Sequence, residues 1–166
     1  MAGGVKQQEA AMRGEVGPGL EYAFTAFVSA GVPLDAGPIA AGRRRIIPIT
    51  GGHVEGPRLT GVVLPGGADW QVVLPDGTAQ LVARYTLRAT DGTLISVVNR
   101  GVRRGPPEVL ARLAAGEAVD PASYYFRAAP CFEVAPGPHD WLARSVFVAT
   151  GERLPYQVVI RVFVVV

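Results

Sequence analysis

Between Gly56 and Leu87 the chain reads GPRLTGVVLPGGADWQVVLPDGTAQLVARYTL, short β-type runs cut at close intervals by Pro-Gly-Gly and Pro-Asp-Gly. Glycine supplies the positive φ that such turns require, and proline cannot continue the strand before it. The pattern runs on. Gln80 to Arg88 and Leu94 to Arg100 flank an Asp91-Gly92 pair, which is a hairpin signal. On the first arm Leu81, Ala83, Tyr85 and Leu87 alternate with Val82, Arg84, Thr86 and Arg88; on the second, Ile95, Val97 and Asn99 alternate with Leu94, Ser96, Val98 and Arg100. Punctuation this dense leaves room for short strands and almost none for helices.

The same reading extends to both ends. Leu20 to Ser29 alternates, with Leu20, Tyr22, Phe24, Ala26 and Val28 on one face. A basic run, Arg43 to Arg45, leads into a short apolar strand and a Gly-Gly break before His53. Strands resume at Ser123 to Glu133, Trp141 to Thr150 and Gln157 to Val166, separated by Ala-Pro-Gly-Pro-His-Asp and Thr-Gly-Glu-Arg-Leu-Pro. The one good helix is PPEVLARLAAGE, with prolines suited to a first turn, an apolar stripe of Val109, Leu110 and Leu113, and Gly116 as its stop. About eight to ten strands with tight turns favour a meander closed into a single antiparallel β-barrel, because closure removes exposed edges. A sandwich is the alternative. The interior of a barrel this size holds side chains and one small ligand.

A chain of 166 residues makes one domain, here a mobile tail over residues 1–18 followed by a barrel over residues 19–166. A net charge of +2 is too weak for a nucleic-acid footprint, and a single cysteine, Cys131, excludes an intramolecular disulfide or a multi-cysteine zinc site. The tail lacks the apolar core of a signal peptide. Val158 to Val166 contains Arg161 and falls far short of the ~20 residues needed to span a bilayer as a helix. These features describe a soluble, cytoplasmic protein with neither a membrane nor a nucleic acid as partner. Both faces of the terminal VVIRVFVVV are apolar, which points to a homodimer.

Four runs, RRRIIPITGGHVEGPRLTGVVLPGGADWQ, ARYTLRATDGTLISVVNRGVRRGPPEVLARL, YYFRAAPCFEV and WLARSVFVATGER, together resemble the UPF0311 or DUF3237 family. The resemblance covers Leu20 to Val166 and implies a compact lipocalin-like β-barrel, without implying a particular activity. Ala143 stands where the family pattern implies Asn, and Cys131 where it implies a larger polar residue, so the resemblance implies a reduced polar set in this chain.

Among candidate site residues, Asp69-Trp70-Gln71 opens a strand, and period two puts Asp69 and Gln71 on one face and Trp70 on the other. The bland reading is a turn-capping Asp beside a packing Trp. Arg84, Asn99, Arg100, Arg127 and Arg144 fall within expected strands. A strand arginine is usually solvated, but two converging inside a barrel make a fork for a carboxylate, phenolate or enolate, with Asp69 or Glu133 as counter-charge. Tyr124 is either a core residue with a satisfied hydroxyl or a proton donor, and Trp141 either packing or a stacking wall. His53 and His139 show no metal spacing, Cys131 reads as an inert core residue, and Gly-Val-Arg-Arg-Gly-Pro-Pro reads as a basic loop at a barrel mouth or in solvent. The Gly-rich Leu-Pro-Gly-Gly-Ala-Asp lacks the Lys-Ser/Thr partner of a phosphate loop.

These residues point to an enzyme that uses neither metal nor nucleotide cofactor and moves a proton on a small planar anion, in an isomerisation, cyclisation or lyase reaction. Asp69 or Tyr124 would titrate; Arg127, with Arg84 and Arg144, would hold oxyanion charge; Asn99 would orient the substrate; Trp70 and Trp141 would wall the cavity. The alternative is a lipocalin-like binding protein without turnover. A barrel plugged by its own side chains, serving as an interaction module, is the third reading.

Overall fold

The structure is a computed structural model that describes residues 17–166, so the expected tail lies outside the described residues except for Gly17 and Pro18. In chain order the elements are β1 (Leu20–Ala30), β2 (Leu34–Ile39), β3 (Gly42–Glu55), β4 (Gly61–Val63), β5 (Gly67–Val73), β6 (Ala79–Ala89), β7 (Leu94–Arg104), α1 (Pro107–Ala114), β8 (Tyr125–Val134), β9 (Phe147–Arg153) and β10 (Gln157–Val165). Every pairing is antiparallel, and β1 pairs with both β10 and β3, which closes the circuit. Two staves are interrupted strands: β1 and β2 lie in succession along β3, while β4 and β5 lie in succession between β3 and β6. The ten strands therefore form a closed 8-strand barrel.

Alternation decides what faces inward. On β6 Leu81, Tyr85 and Leu87 are buried while Arg84 and Arg88 are exposed, and on β7 Ile95, Val97, Asn99 and Arg103 are buried between exposed neighbours. The helix forms as its stripe predicts: Leu113 is buried, Pro107 takes the first turn, and the N–H of Gly116, at φ 78°, donates to the Leu113 carbonyl. One end of the barrel is solid. Phe132 meets Phe24 and Phe147 edge-on at 5.9 and 4.9 Å, beside fully buried Leu87, Ile95 and Leu142.

Several local readings change. Leu20 and Tyr22 point outward because a bulge between Tyr22 and Phe24 shifts the register of β1 against β10 and buries both Ala23 and Phe24. Trp141 and Arg144 lie in a short 3₁₀ turn, Asp140–Arg144, and not in a strand. That turn is held by Asp140 N–H to Gly137 O and Arg144 Nη2 to Asp140 Oδ1, and it drives Leu142 into the solid end. Arg103 and Arg104 extend β7, and Gly151 to Arg153 extend β9, where loops were expected. Cys131 is exposed on the outer side of β8, opposite in parity to buried Phe132.

The Gly51-Gly52 pair does not break β3, which runs through it. Gly52 sits at φ 135°, and a Cβ there would run into the Phe27 carbonyl oxygen across the β1–β3 seam. Gly52→Val combines a disfavoured backbone with a steric clash at the closure of the barrel. The expected loss is about 2–4 kcal/mol of unfolding free energy in urea titration; a loss under about 0.5 kcal/mol would show that the seam does not hold the barrel closed.

Candidate functional site

The half of the barrel away from the aromatic plug encloses a cavity of about 420 Å³. Its lining divides by strand. Val28 and Ala30 of β1, Ile47 and Ile49 of β3, and Val158 and Ile160 of β10 make an apolar wall. Facing it are Asp69 and Gln71 of β5, Tyr85 of β6, Asn99 and Arg103 of β7, and Arg153 of β9. Each polar residue reaches inward by the alternation that buries the apolar residue two places along: Asn99 follows Val97, and Arg153 follows Gly151 and Ala149.

The polar wall is wired from its rim. Arg45 Nη2 donates to Gln71 Oε1 at 2.8 Å, and Gln71 Nε2 donates to Asp69 Oδ2 at 2.7 Å. Asp69 Oδ1 and Asn99 Oδ1 are buried and have no hydrogen-bond partner among the described residues. Burial raises the Asp69 carboxyl above the ordinary Asp value, against the Gln71 hydrogen bond and the nearby Arg103 and Arg153 charges, which pull it down. Burial and the neighbouring Asp69 charge likewise raise the Tyr85 phenol, so its hydroxyl stays protonated. Burial first, and then repulsion from Arg153 and Arg45, lowers Arg103 to about 10. Arg153 is also lowered, by burial and then by Arg45. Three guanidinium groups share one carboxylate, so the wall carries surplus positive charge in poor solvent.

The raised Asp69 value fixes a pH dependence. Its unfolded value, near 3.8, lies below its folded value, so its contribution to stability is complete below 3.8 and is lost as pH rises through the folded value. Relative to Asp69→Asn, wild type should gain stability on acidification from about pH 7 to about pH 3.5, by about 1.4 kcal/mol for each unit of elevation. Paired urea titrations across that range measure it. A flat or opposite difference would mean that burial does not dominate at this carboxyl.

Of the residues singled out from sequence, the structure brings Asp69, Gln71 and Asn99 together on this cavity and places the others elsewhere. Trp70 faces outward between Ile46 and Val82, as its parity opposite Asp69 requires. Arg84 is exposed on the outer face of β6. Arg127 projects outward, its Nη1 donating to the Phe126 carbonyl and its guanidinium lying 5.2 Å from the Tyr125 ring. Arg144 pairs with Asp140 at the opposite end, where Trp141 stacks under Arg58 at 3.9 Å. Tyr124 is buried, and its hydroxyl accepts the Arg153 backbone N–H at 2.9 Å, a contact that steadies the end of β9. His53 stacks on Phe27 at 4.5 Å, and His139 Nε2 lies 3.0 Å from Asp91.

Tyr85, Arg103 and Arg153 of the cavity lining, and Arg45 behind Gln71, are residues that sequence reasoning passed over as site candidates. Parity carries the signal for two of them: Arg103 shares the face of Asn99 four residues earlier, and Arg153 shares the face of Phe147 and Ala149. Among the described residues no group of three or more His, Cys, Asp or Glu side chains is placed to hold a metal, and no helix is long and apolar enough to cross a membrane.

Residues 18–165 match the model of a family described as "Protein of unknown function (DUF3237)". A UPF0311 protein of Bradyrhizobium diazoefficiens is 44% identical over 142 residues, 86% of this chain and 93% of the relative. The crystal structure of a conserved protein of unknown function from Rhodopseudomonas palustris superposes with a TM-score of 0.89 at 41% identity, covering 92% of this chain and 100% of that one. At 21% identity and a TM-score of 0.65, an enzyme from Penicillium herquei shares the fold over 89% of this chain and 96% of its own.

Proposed function

This chain belongs to the DUF3237 family, and from that premise we propose that its barrel cavity is a proton-transfer active site for a small organic anion. One observation carries the reading: a carboxylate destabilised by burial, Asp69, shares an enclosed cavity with Arg103 and Arg153, whose charges repel each other and exceed its own. An anionic substrate relieves that repulsion. The same guanidinium groups then stabilise negative charge that develops on a carbonyl or phenol oxygen.

In the proposed step Asp69 takes a proton from a carbon beside a carbonyl, the C–H electron pair moves to the carbonyl oxygen, and Arg103 and Arg153 hold the resulting enolate. Return of the proton to a different carbon completes an isomerisation; attack of the enolate carbon on a second carbonyl of the same molecule gives a cyclisation, the C=O π pair moving to that oxygen, which takes the proton back from Asp69. Tyr85, held protonated, donates a hydrogen bond to the oxyanion, and Asn99 orients the substrate. A carboxylate whose pKa is raised is a stronger base and accepts a proton from carbon more readily.

The experiment is deuterium exchange. Wild-type protein in D₂O, with a panel of small keto acids and phenolic ketones, should speed loss of the C–H signal beside the carbonyl, and Asp69→Asn should remove that effect. Binding of such acids without exchange by wild type would assign the cavity to a lipocalin-like carrier instead.

A further inference from the structure

The cavity lining reaches its opening along two neighbouring connections, residues 31–33 after β1 and residues 154–156 before β10, which are tied together by the Ala30 N–H donating to the Tyr156 carbonyl. Both carry apolar side chains into solvent at that opening: Val32 and Tyr156 are each 80% exposed, and Leu34, just beyond, is 57% exposed. Large side chains left this open beside a ligand cavity mark a contact surface. They are also continuous with one wall. Val32 extends the line of Val28 and Ala30, and Pro155 and Tyr156 lead into Val158 and Ile160, so apolar surface runs unbroken from the cavity interior to its rim. Among the described residues, the charged ones that line the cavity stand on β5, β7 and β9: Asp69 lies across from Ile47 and Arg153 across from Val158, at the two edges of the apolar wall, and Arg103 stands on β7 between them.

We propose that the ligand is an amphiphile: its anionic head lies on the Asp69–Arg103–Arg153 wall, and an apolar body extends along the β1–β3–β10 wall to emerge between Val32 and Tyr156. This rests on the reading of the cavity as an anion site. A purely polar metabolite would leave Val28, Ile47, Ile49 and Ile160 facing water or polar atoms across the cavity, with no gain from the exposed rim. An apolar chain gains by covering both, and the rim residues then set the length of chain the protein prefers.

The test is a homologous series, butanoate, hexanoate, octanoate and decanoate below their micelle concentrations, titrated by calorimetry into wild type, Val32→Ser and Tyr156→Ser. Wild-type affinity should rise about threefold to fourfold for each methylene until the chain clears the rim. The two variants should bind butanoate as wild type does and decanoate about tenfold more weakly. Equal wild-type affinity along the series would overturn the amphiphile and leave the anion site standing, whereas failure of the whole series to bind would remove both. A length dependence that both variants retain would show that the rim takes no part. Sedimentation of the three proteins gives the remaining arm: variants that dissociate a wild-type dimer would assign the rim to a second copy of the chain, and so overturn its role toward ligand.

Discussion

Changing Asp69 to Asn should remove the proposed deuterium exchange, lowering it by about 10²–10⁴-fold, the range that a positioned general base contributes. Asparagine keeps the shape and one carbonyl oxygen for the Gln71 Nε2 hydrogen bond, so the Arg45–Gln71 chain survives. What disappears is the only carboxylate that lines the cavity among the described residues. Binding of the same keto acids should persist or tighten, since the variant loses a negative charge beside an anionic ligand while Arg103 and Arg153 remain. That division, exchange lost and affinity kept, separates a base from a residue that merely shapes the cavity. Exchange at wild-type rate in the variant would move the chemistry to another group. Tyr124→Phe is a useful companion, because Tyr124 touches Arg153 through the backbone and does not line the cavity, so its effect on exchange should be at most several-fold.

The barrel was legible because its signal repeats: each turn is written in glycine and proline, and each strand of the Gln80–Arg100 hairpin separates its apolar and polar residues by parity. The same parity put Asp69 and Gln71 on one face and Trp70 on the opposite one; the structure turns the first pair into the cavity, so Trp70, expected as a cavity wall, faces out. It failed where one residue was inserted, since the bulge before Phe24 turns Leu20 and Tyr22 to the other face and leaves no local mark in the sequence. The arginines were harder for a different reason. Arg103 sits between Gly101 and the Pro106-Pro107 pair, and Arg153 between Gly151 and Pro155, surroundings that read as turns. Gly151 is small because the Phe126 ring occupies the space its side chain would need, a requirement of tertiary packing that sequence spacing does not carry. Arg127, flanked by apolar residues, looked better placed for the interior, yet Phe126 and Phe132 set the inward parity of β8 and turn it out.

Arg103→Met then separates the inner arginines from the outer ones. Arg103 is 7% exposed, and burial with its two arginine neighbours brings it down to about 10 from 12.5. Its folded value is depressed, so the penalty for carrying the charge is fully present below about 10 and eases only as pH rises through that value. Methionine removes the penalty at neutral pH, fills much of the same volume and brings in no polar atom of its own, so the variant should be as stable as wild type or more so. Ligand binding should move the other way. Losing one partner of a buried charge pair weakens association by about 2–5 kcal/mol, so titration calorimetry with small carboxylates should show a loss of at least about 30-fold. Arg127→Met, on the outer face of β8, should leave the same affinities within about twofold. The pattern is therefore opposite in sign for stability and binding at Arg103 and flat for binding at Arg127. Equal affinities in wild type and Arg103→Met would mean that the surplus charge on the polar wall serves no anion, and the proton-transfer reading would lose the groups that hold its enolate.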